Sequence, residues 1–422
     1  MNFLAKLFYT HRRIFKAIKL FLIISGPGII VMVADNDAAG ITTYAVTGAK
    51  YGYKLIWFLL VLIPIAYYIQ EMTMRLGVVT KRGHAESIFT GFGPLWGWFS
   101  LANLAFVNWL TLITEFIGMA AAFSIFGVPP YATVIGVCLL MGFMVLKGRY
   151  WTWEKIALLF CFLNLIYIPI AFMIKPSVSQ IMQGFVPNFP GGITQPLLFF
   201  LMANIGTTIT PWMLYFQQSA VVDKGMKEKD IPWGKFDTLV GAVFTVSIAV
   251  FIVIVTGTIL KGVEIESAAQ AARMLMELHP YLGTCLAIGL FNAGLLGAIC
   301  ITLASSWAFG EVFGWAHSLN NKIKEAPWFY ANYFITLITA GLVILIPRAP
   351  LITIALFVQV ASVILLPASL VFLILLLNDE KTMGEFKNSR FQNFISLIII
   401  IGIIIISALY AVSIILPDIF KG

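Results

Sequence analysis

Long apolar runs separated by short polar joints make up almost the whole chain. Stretches of about 18 residues or more, rich in Leu, Ile, Val and Phe, recur to the last helix, the length that carries an α-helix across a bilayer. The runs are continuous and do not alternate, which selects helices over barrel strands. Eleven spans are predicted, at 20–48, 54–79, 94–126, 131–147, 152–174, 195–222, 236–261, 281–314, 327–347, 350–378 and 390–416. Residues 265–278 predict a short amphipathic helix outside the membrane. The fold class is an all-α polytopic membrane protein.

Composition agrees. Of 422 residues, 60% are hydrophobic and 11% charged, under half the roughly 25% of soluble domains. The net charge of +8 does not point to nucleic acid, because the basic residues sit in short loops between spans. They also orient the chain. The loops holding Lys6, Arg12 and Arg13, then Arg75, Lys81 and Arg82, then Lys224, Lys227 and Lys229 belong to one side. That side outnumbers the other by about three to one in Lys and Arg, so it is cytoplasmic. We expect a plasma-membrane protein with its N-terminus inside and, after eleven crossings, its C-terminus outside. Residues 1–19 form a basic cytoplasmic N-terminus with no cleavable signal evident, and 20–416 one transmembrane unit. Cys138, Cys161, Cys285 and Cys300 are scattered in apolar helices without a CxxC pair.

Two spans are interrupted. In the first, Asp35-Asn36-Asp37 followed by Ala38-Ala39-Gly40 lies near bilayer depth, where each Asp costs roughly 2.5–3.5 kcal/mol on the insertion scale. No Lys or Arg lies mid-span to balance them, so the missing partner is read as a mobile cation. Residues 35 and 37 point to different faces of a regular helix; local unwinding, eased by Gly40, is expected. In the sixth span, Thr207-Thr208-Ile209-Thr210-Pro211 combines a lost backbone donor with three hydroxyls. Pro211 strips the Thr207 carbonyl of its helical partner, and an oxygen-rich pocket is predicted. Breaks in spans one and six suggest two inverted five-span repeats, about 20–174 and 195–378, with 390–416 added. Paired breaks of this kind point to a transporter's midplane site.

These residues resemble the Nramp family of divalent metal transporters. The likeness runs through Gly26-Pro27-Gly28 and the Asp cluster, Tyr51-Gly52-Tyr53, Arg75-Leu76-Gly77, Glu115-Phe116-Ile117-Gly118, Pro211 with Leu214-Tyr215, Asp237-Thr238, Gln359-Val360 and Leu366-Pro367. The resemblance covers spans 1–10 and implies the leucine-transporter-type fold. Aligned on it, the family's first-helix Asp-Pro-Gly-Asn becomes Asp37-Ala38-Ala39-Gly40. The family's metal-binding Met before Pro becomes Thr210, its two sixth-helix histidines become Trp212 and Gln217, and a third-helix Asp becomes Leu112, while Glu115 remains.

These departures replace a thioether by a hydroxyl and leave oxygen donors. Oxygen suits Mg2+ and Mn2+, sulfur softer ions. The pattern is similar to the Nramp-related magnesium transporters. The expected metal residues are Asp37, Thr210, Thr207, Gly40, Asp35 and Gln359, with Glu115 on a proton or hydration path and a roomier site beside the small Gly40. The expected activity is import of Mg2+, with Mn2+ also carried, by a monomer without proton coupling and without a cofactor. The other reading within the family is a proton-coupled Mn2+/Fe2+ symporter; a branch carrying Al3+ is a weaker competitor. A sodium-coupled amino-acid carrier is disfavoured because Asp35 and Asp37 would repel a substrate carboxylate, and a channel because no filter-like loop is present. Nothing in the sequence suggests an enzyme.

Overall fold

The computed structural model describes residues 26–147, 149–265, 267–346 and 351–416. The basic N-terminus, the predicted start of the first span and His11 fall outside the described residues. Within them the chain is helical, with no strand. Among the described residues, eight helical segments are long and apolar enough to cross a bilayer: Ile56–Thr80, Pro94–Ser124, Tyr150–Met173, Gln195–Lys224, Glu228–Ile259, Pro280–Phe313, Val360–Asn378 and Arg390–Ile415. The pair Pro27–Ala34 and Ala38–Tyr51, bent by 54°, makes a ninth. Pro130–Lys147, of 18 residues, and Pro327–Val343, of 17, stand where spans four and nine were predicted. At about 1.5 Å per residue they are slightly shorter than a ~30 Å hydrocarbon core.

Proline and glycine set the boundaries. Pro27, Pro94, Pro211, Pro280 and Pro327 each stand at a helix start, where a missing N–H costs nothing. Gly225 and Gly314, with φ of 75° and 69°, close two helices in the left-handed conformation. The fifth span contains a break that the sequence reading missed. Pro169 cannot bond back to Leu165, and Asn164–Ile166 tightens into a 3-10 turn between Tyr150–Leu163 and Tyr167–Met173. The amphipathic helix appears at Ala268–Leu278, capped by Ser267, and packs on the first, third and eighth spans.

The sixth and eighth spans are almost wholly enclosed, 94% and 89% buried in their apolar windows, against 22% for the eleventh. The two enclosed spans therefore form the centre of the bundle, and the eleventh runs along its outside. The eighth packs on the third, and the seventh on both halves of the first. Several buried charges away from the two breaks are paired. Asp237 accepts from the amides of Gly26 (3.1 Å) and Gly28 (2.8 Å), capping the start of Pro27–Ala34. Lys224 pairs with Glu154 at 2.7 Å, and Arg75 with Glu71 at 3.0 Å. Each of these buried charges has a partner, as the desolvation penalty requires.

Candidate metal centre

The first break is built by its own polar residues. Asp and Asn compete with helical backbone bonding and favour caps. Asp35 ends the helix Pro27–Ala34 in αR geometry, and Asp37, extended at φ −73° and ψ −176°, begins the helix Ala38–Tyr51. Its Oδ1 accepts the Gly40 amide at 2.6 Å, an N-cap bond. Asn36 donates to the Thr245 carbonyl at 2.8 Å and ties the break to the seventh span. The chain is thus unwound between the two aspartates, as expected. Gly40 is not the unwound end: it sits in the first turn of the second half-helix. Nor is the space beside it open. A Cβ there would lie 3.1 Å from the Asp35 carbonyl oxygen, 3.2 Å from Asp37 Oδ1 and 3.5 Å from Thr207 Cβ.

The second break lies between Gln195–Gly206 and Pro211–Lys224. The Thr207 carbonyl is displaced from helical bonding but is not free. The Tyr44 hydroxyl donates to it at 3.2 Å and lies 3.1 Å from Thr208 Oγ1. The hydroxyls of Thr207 and Thr208 bond back to the Asn204 carbonyl, at 3.2 and 2.9 Å, as threonines inside helices commonly do. Of the three threonines, Thr210 alone turns across to the other break, donating to Asp35 Oδ1 at 2.7 Å. Its amide donates to Met213 Sδ at 3.4 Å, so a thioether lies close to the break although the residue before Pro211 is no longer Met.

Glu115, from the third span, completes the group. Its Oε2 accepts the Ala38 amide at 3.0 Å. Asp35, Asp37 and Glu115 are all wholly buried. Each has one oxygen bonded to the protein; no donor group of the protein reaches the other, Asp35 Oδ2, Asp37 Oδ2 or Glu115 Oε1, and the Asp37 and Glu115 carboxyls lie within hydrogen-bonding reach of each other. Among the described residues no Lys, Arg or His pairs with any of them. Three carboxyls stripped of water and unmatched by a cationic side chain are costly. A cation or shared protons must compensate them. Among the described residues no three His, Cys, Asp or Glu side chains converge closely enough to hold an ion by themselves. A bound ion would therefore need backbone, hydroxyl or water oxygens as well.

The structure brings Asp35, Asp37, Gly40, Thr207, Thr210 and Glu115 to the two facing breaks. Gln359 lies on the helix Leu351–Asn378, with its side chain outside the described residues. Tyr44, Met213 and Gly297 were missed. Tyr44 falls seven residues after Asp37, two helical turns on the same face, a signal that spacing could have given. Gly297, in the eighth span, is close only through tertiary packing. His84 begins the short helix His84–Phe92 that joins the second and third spans. It is wholly buried, its Nδ1 2.8 Å from Gln218 Oε1, and burial pushes its imidazole down to about 4.

Paired broken helices facing each other inside an enclosed bundle, with unmatched carboxyls between them, define a membrane transporter of the leucine-transporter type. The profile of the natural resistance-associated macrophage protein-like family matches residues 28–413, and the chain belongs to that family. It is 28% identical to the divalent metal cation transporter MntH of Staphylococcus saprophyticus, over 94% of this chain and 92% of that one. It is 26% identical to the natural resistance-associated macrophage protein 2 homolog of Dictyostelium discoideum, over 96% of this chain and 64% of that one. The fold matches the Eremococcus coleocola manganese transporter with a TM-score of 0.79 at 19% identity, over 94% and 87% of the two chains. MhsT in complex with L-phenylalanine matches at 0.61 and 13%, over 90% and 98%.

Proposed function

We propose that the chain carries divalent metal cations across the plasma membrane by alternating access, Mg2+ foremost and Mn2+ also, without proton coupling. The observation that carries the cation is the set of three buried carboxyls, each with an oxygen that no donor group satisfies and none with a cationic side chain. Asp37 is the first-ranked ligand, with Asp35 and Thr210 as the second pair. The support for Mg2+ is the donor chemistry: these residues offer oxygen, and too few of them converge to strip an ion of all its water. Mg2+ prefers oxygen and retains several waters. In this reading residues 20–416 act as one transport unit with the N-terminus cytoplasmic, the monomer suffices, and Gln359 approaches the ion in the closed state.

A proton-coupled Mn2+ symporter is the second reading, favoured by two observations. Met213 brings a sulfur near the break, and Glu115 lies beside Asp37, where a proton could be shared. Uptake into proteoliposomes followed by a Mg2+-sensitive dye, with Mn2+, Ca2+ and Cd2+ as competitors, separates the readings. Mg2+ uptake competed by Mn2+ supports the first. Mn2+ and Cd2+ uptake without Mg2+ uptake overturns it.

A further inference from the structure

The eighth span touches two of the three carboxylate residues of the centre through a residue with no side chain. A Cβ built on Gly297 would lie 2.9 Å from Asp37 Cβ, 3.1 Å from Glu115 Oε2 and 3.2 Å from Glu115 Cδ. The first of these distances is closer than real side chains pack, and Asp37 Cβ is not the far end of a flexible chain. It is fixed by the cap bond from Asp37 Oδ1 to Gly40 and by the start of the helix Ala38–Tyr51. Glu115 is held on the other side by the Ala38 amide. Gly297 therefore lies against both side chains, whose carboxyls are within hydrogen-bonding reach of each other.

We propose that Gly297 is the positioning residue that seats the Asp37 and Glu115 carboxyls side by side and so sets which size of divalent cation they accept. This rests on the reading that Asp37 binds the transported ion. A methyl group at 297 would wedge against both residues and move them apart. A wider oxygen set favours a larger ion: Ca2+ takes oxygens at about 2.3–2.6 Å, Mg2+ at about 2.0–2.1 Å. Gly294, one turn earlier on the same span, provides the contrast. A Cβ there would meet Met119 Cγ at 2.8 Å, the Glu115 backbone oxygen at 3.2 Å and Ala38 Cβ at 3.3 Å. It crowds the same interface without touching a carboxyl.

The test uses the full chain in proteoliposomes, with Mg2+ uptake measured against increasing Ca2+. Gly297→Ala is expected to raise the Mg2+ KM at least fivefold and to lower the Ca2+ concentration that halves Mg2+ uptake. Gly294→Ala is expected to slow uptake with the Mg2+/Ca2+ ratio unchanged. Should Gly297→Ala fail to fold, Gly297→Ala combined with Glu115→Asp, which retracts the crowded carboxyl by one methylene, is expected to recover folded protein with the shifted ratio. An unchanged Mg2+/Ca2+ ratio in whichever Gly297 variant folds, or the same shift in Gly294→Ala, overturns the proposal. Asp37→Ala run in parallel separates the two levels. If it transports like the unaltered protein, the site reading falls and this proposal with it. If it is inactive and the Gly297 ratio is unchanged, this proposal alone falls.

Discussion

Asp37 does two jobs that one substitution can separate. Oδ1 caps the second half-helix through the Gly40 amide at 2.6 Å, and no donor group of the protein reaches Oδ2. Asn caps a helix about as well as Asp, while Ala forfeits roughly 0.5–2 kcal/mol. Asp37→Asn therefore keeps the cap and removes the charge. If the carboxylate meets a cation, deleting it resembles breaking a buried ion pair, about 3–5 kcal/mol, or two to three and a half decades of affinity at about 1.4 kcal/mol per decade. The ion-free protein should respond the other way. An unmatched buried charge has gone, so its thermal stability in detergent should equal or exceed that of the unaltered protein. The measurement is paired: unfolding temperature with and without Mg2+, and dye-reported uptake in proteoliposomes. Asp37→Asn should be stable, inert to Mg2+ and inactive, while Asp37→Ala should be inactive and less stable. Uptake by Asp37→Asn near the unaltered level would mean that Asp37 is only a cap, and the metal reading of this residue would be wrong.

Thr210→Met should raise Cd2+ binding and lower Mg2+ transport, read by calorimetry and uptake; unchanged selectivity would place residue 210 away from the ion. Thr207→Ala should be milder than Thr210→Ala, because the Thr207 hydroxyl bonds to its own helix and its carbonyl, held by Tyr44, survives the change. Gln359→Ala should reduce Mg2+ uptake without abolishing it; a wild-type rate would leave Gln359 a packing residue. His84 predicts a pH effect. Its folded value of about 4 lies below the ordinary 6.5, so the unfolded chain takes up a proton first as pH falls. The contribution of His84 is full above about 6.5 and is lost progressively down to about 4, by roughly 3 kcal/mol. The difference in unfolding temperature between the unaltered protein and His84→Gln, followed from about pH 7.5 to 4.5, isolates this contribution and should narrow as the pH falls; a difference that does not change with pH would refute it.

The broken first helix was legible because Asp-Asn-Asp inside an apolar run conflicts with both lipid and helix. The sixth was legible because Pro211 removes a donor that the helix needs. What those breaks hold was less legible. The sequence showed a carbonyl losing its partner at Thr207, but a different element, Tyr44 on the first span, supplies a new one. It showed three threonine hydroxyls, yet two bond back to Asn204, a local competition that residue type alone does not decide. Gly40 looked like a source of space; the space is closed by Asp35, Asp37 and Thr207 approaching from three directions. Gly297 gave no signal, since a glycine among apolar residues of a span takes its meaning only from what packs against it.

Proton coupling is the prediction on which the two functional readings part. A coupled carrier needs titratable groups that hand a proton from the site to one side of the membrane. The sixth span offers Trp212 and Gln217, neither titratable, and Gln217 donates to Thr238 at 3.0 Å. Leu112 is buried and apolar. At the two breaks Asp35, Asp37 and Glu115 are gathered at one place: enough to hold a proton, with no relay leading from them through the residues at 112, 212 and 217. The membrane potential can drive uptake instead. A divalent ion gains roughly 2 × 2.3 kcal/mol per 100 mV moving inward, so a proton is not required. The expected result is Mg2+ or Mn2+ uptake into proteoliposomes holding a pH-sensitive dye, driven by an imposed inside-negative potential, with no change in luminal pH. Glu115→Gln should then slow uptake, through its contact with Ala38 and its place beside Asp37, with luminal pH still unchanged. Metal-dependent acidification of the lumen that disappears in Glu115→Gln would show that Glu115 and Asp37 suffice as a minimal proton pair, and the transporter would be a symporter.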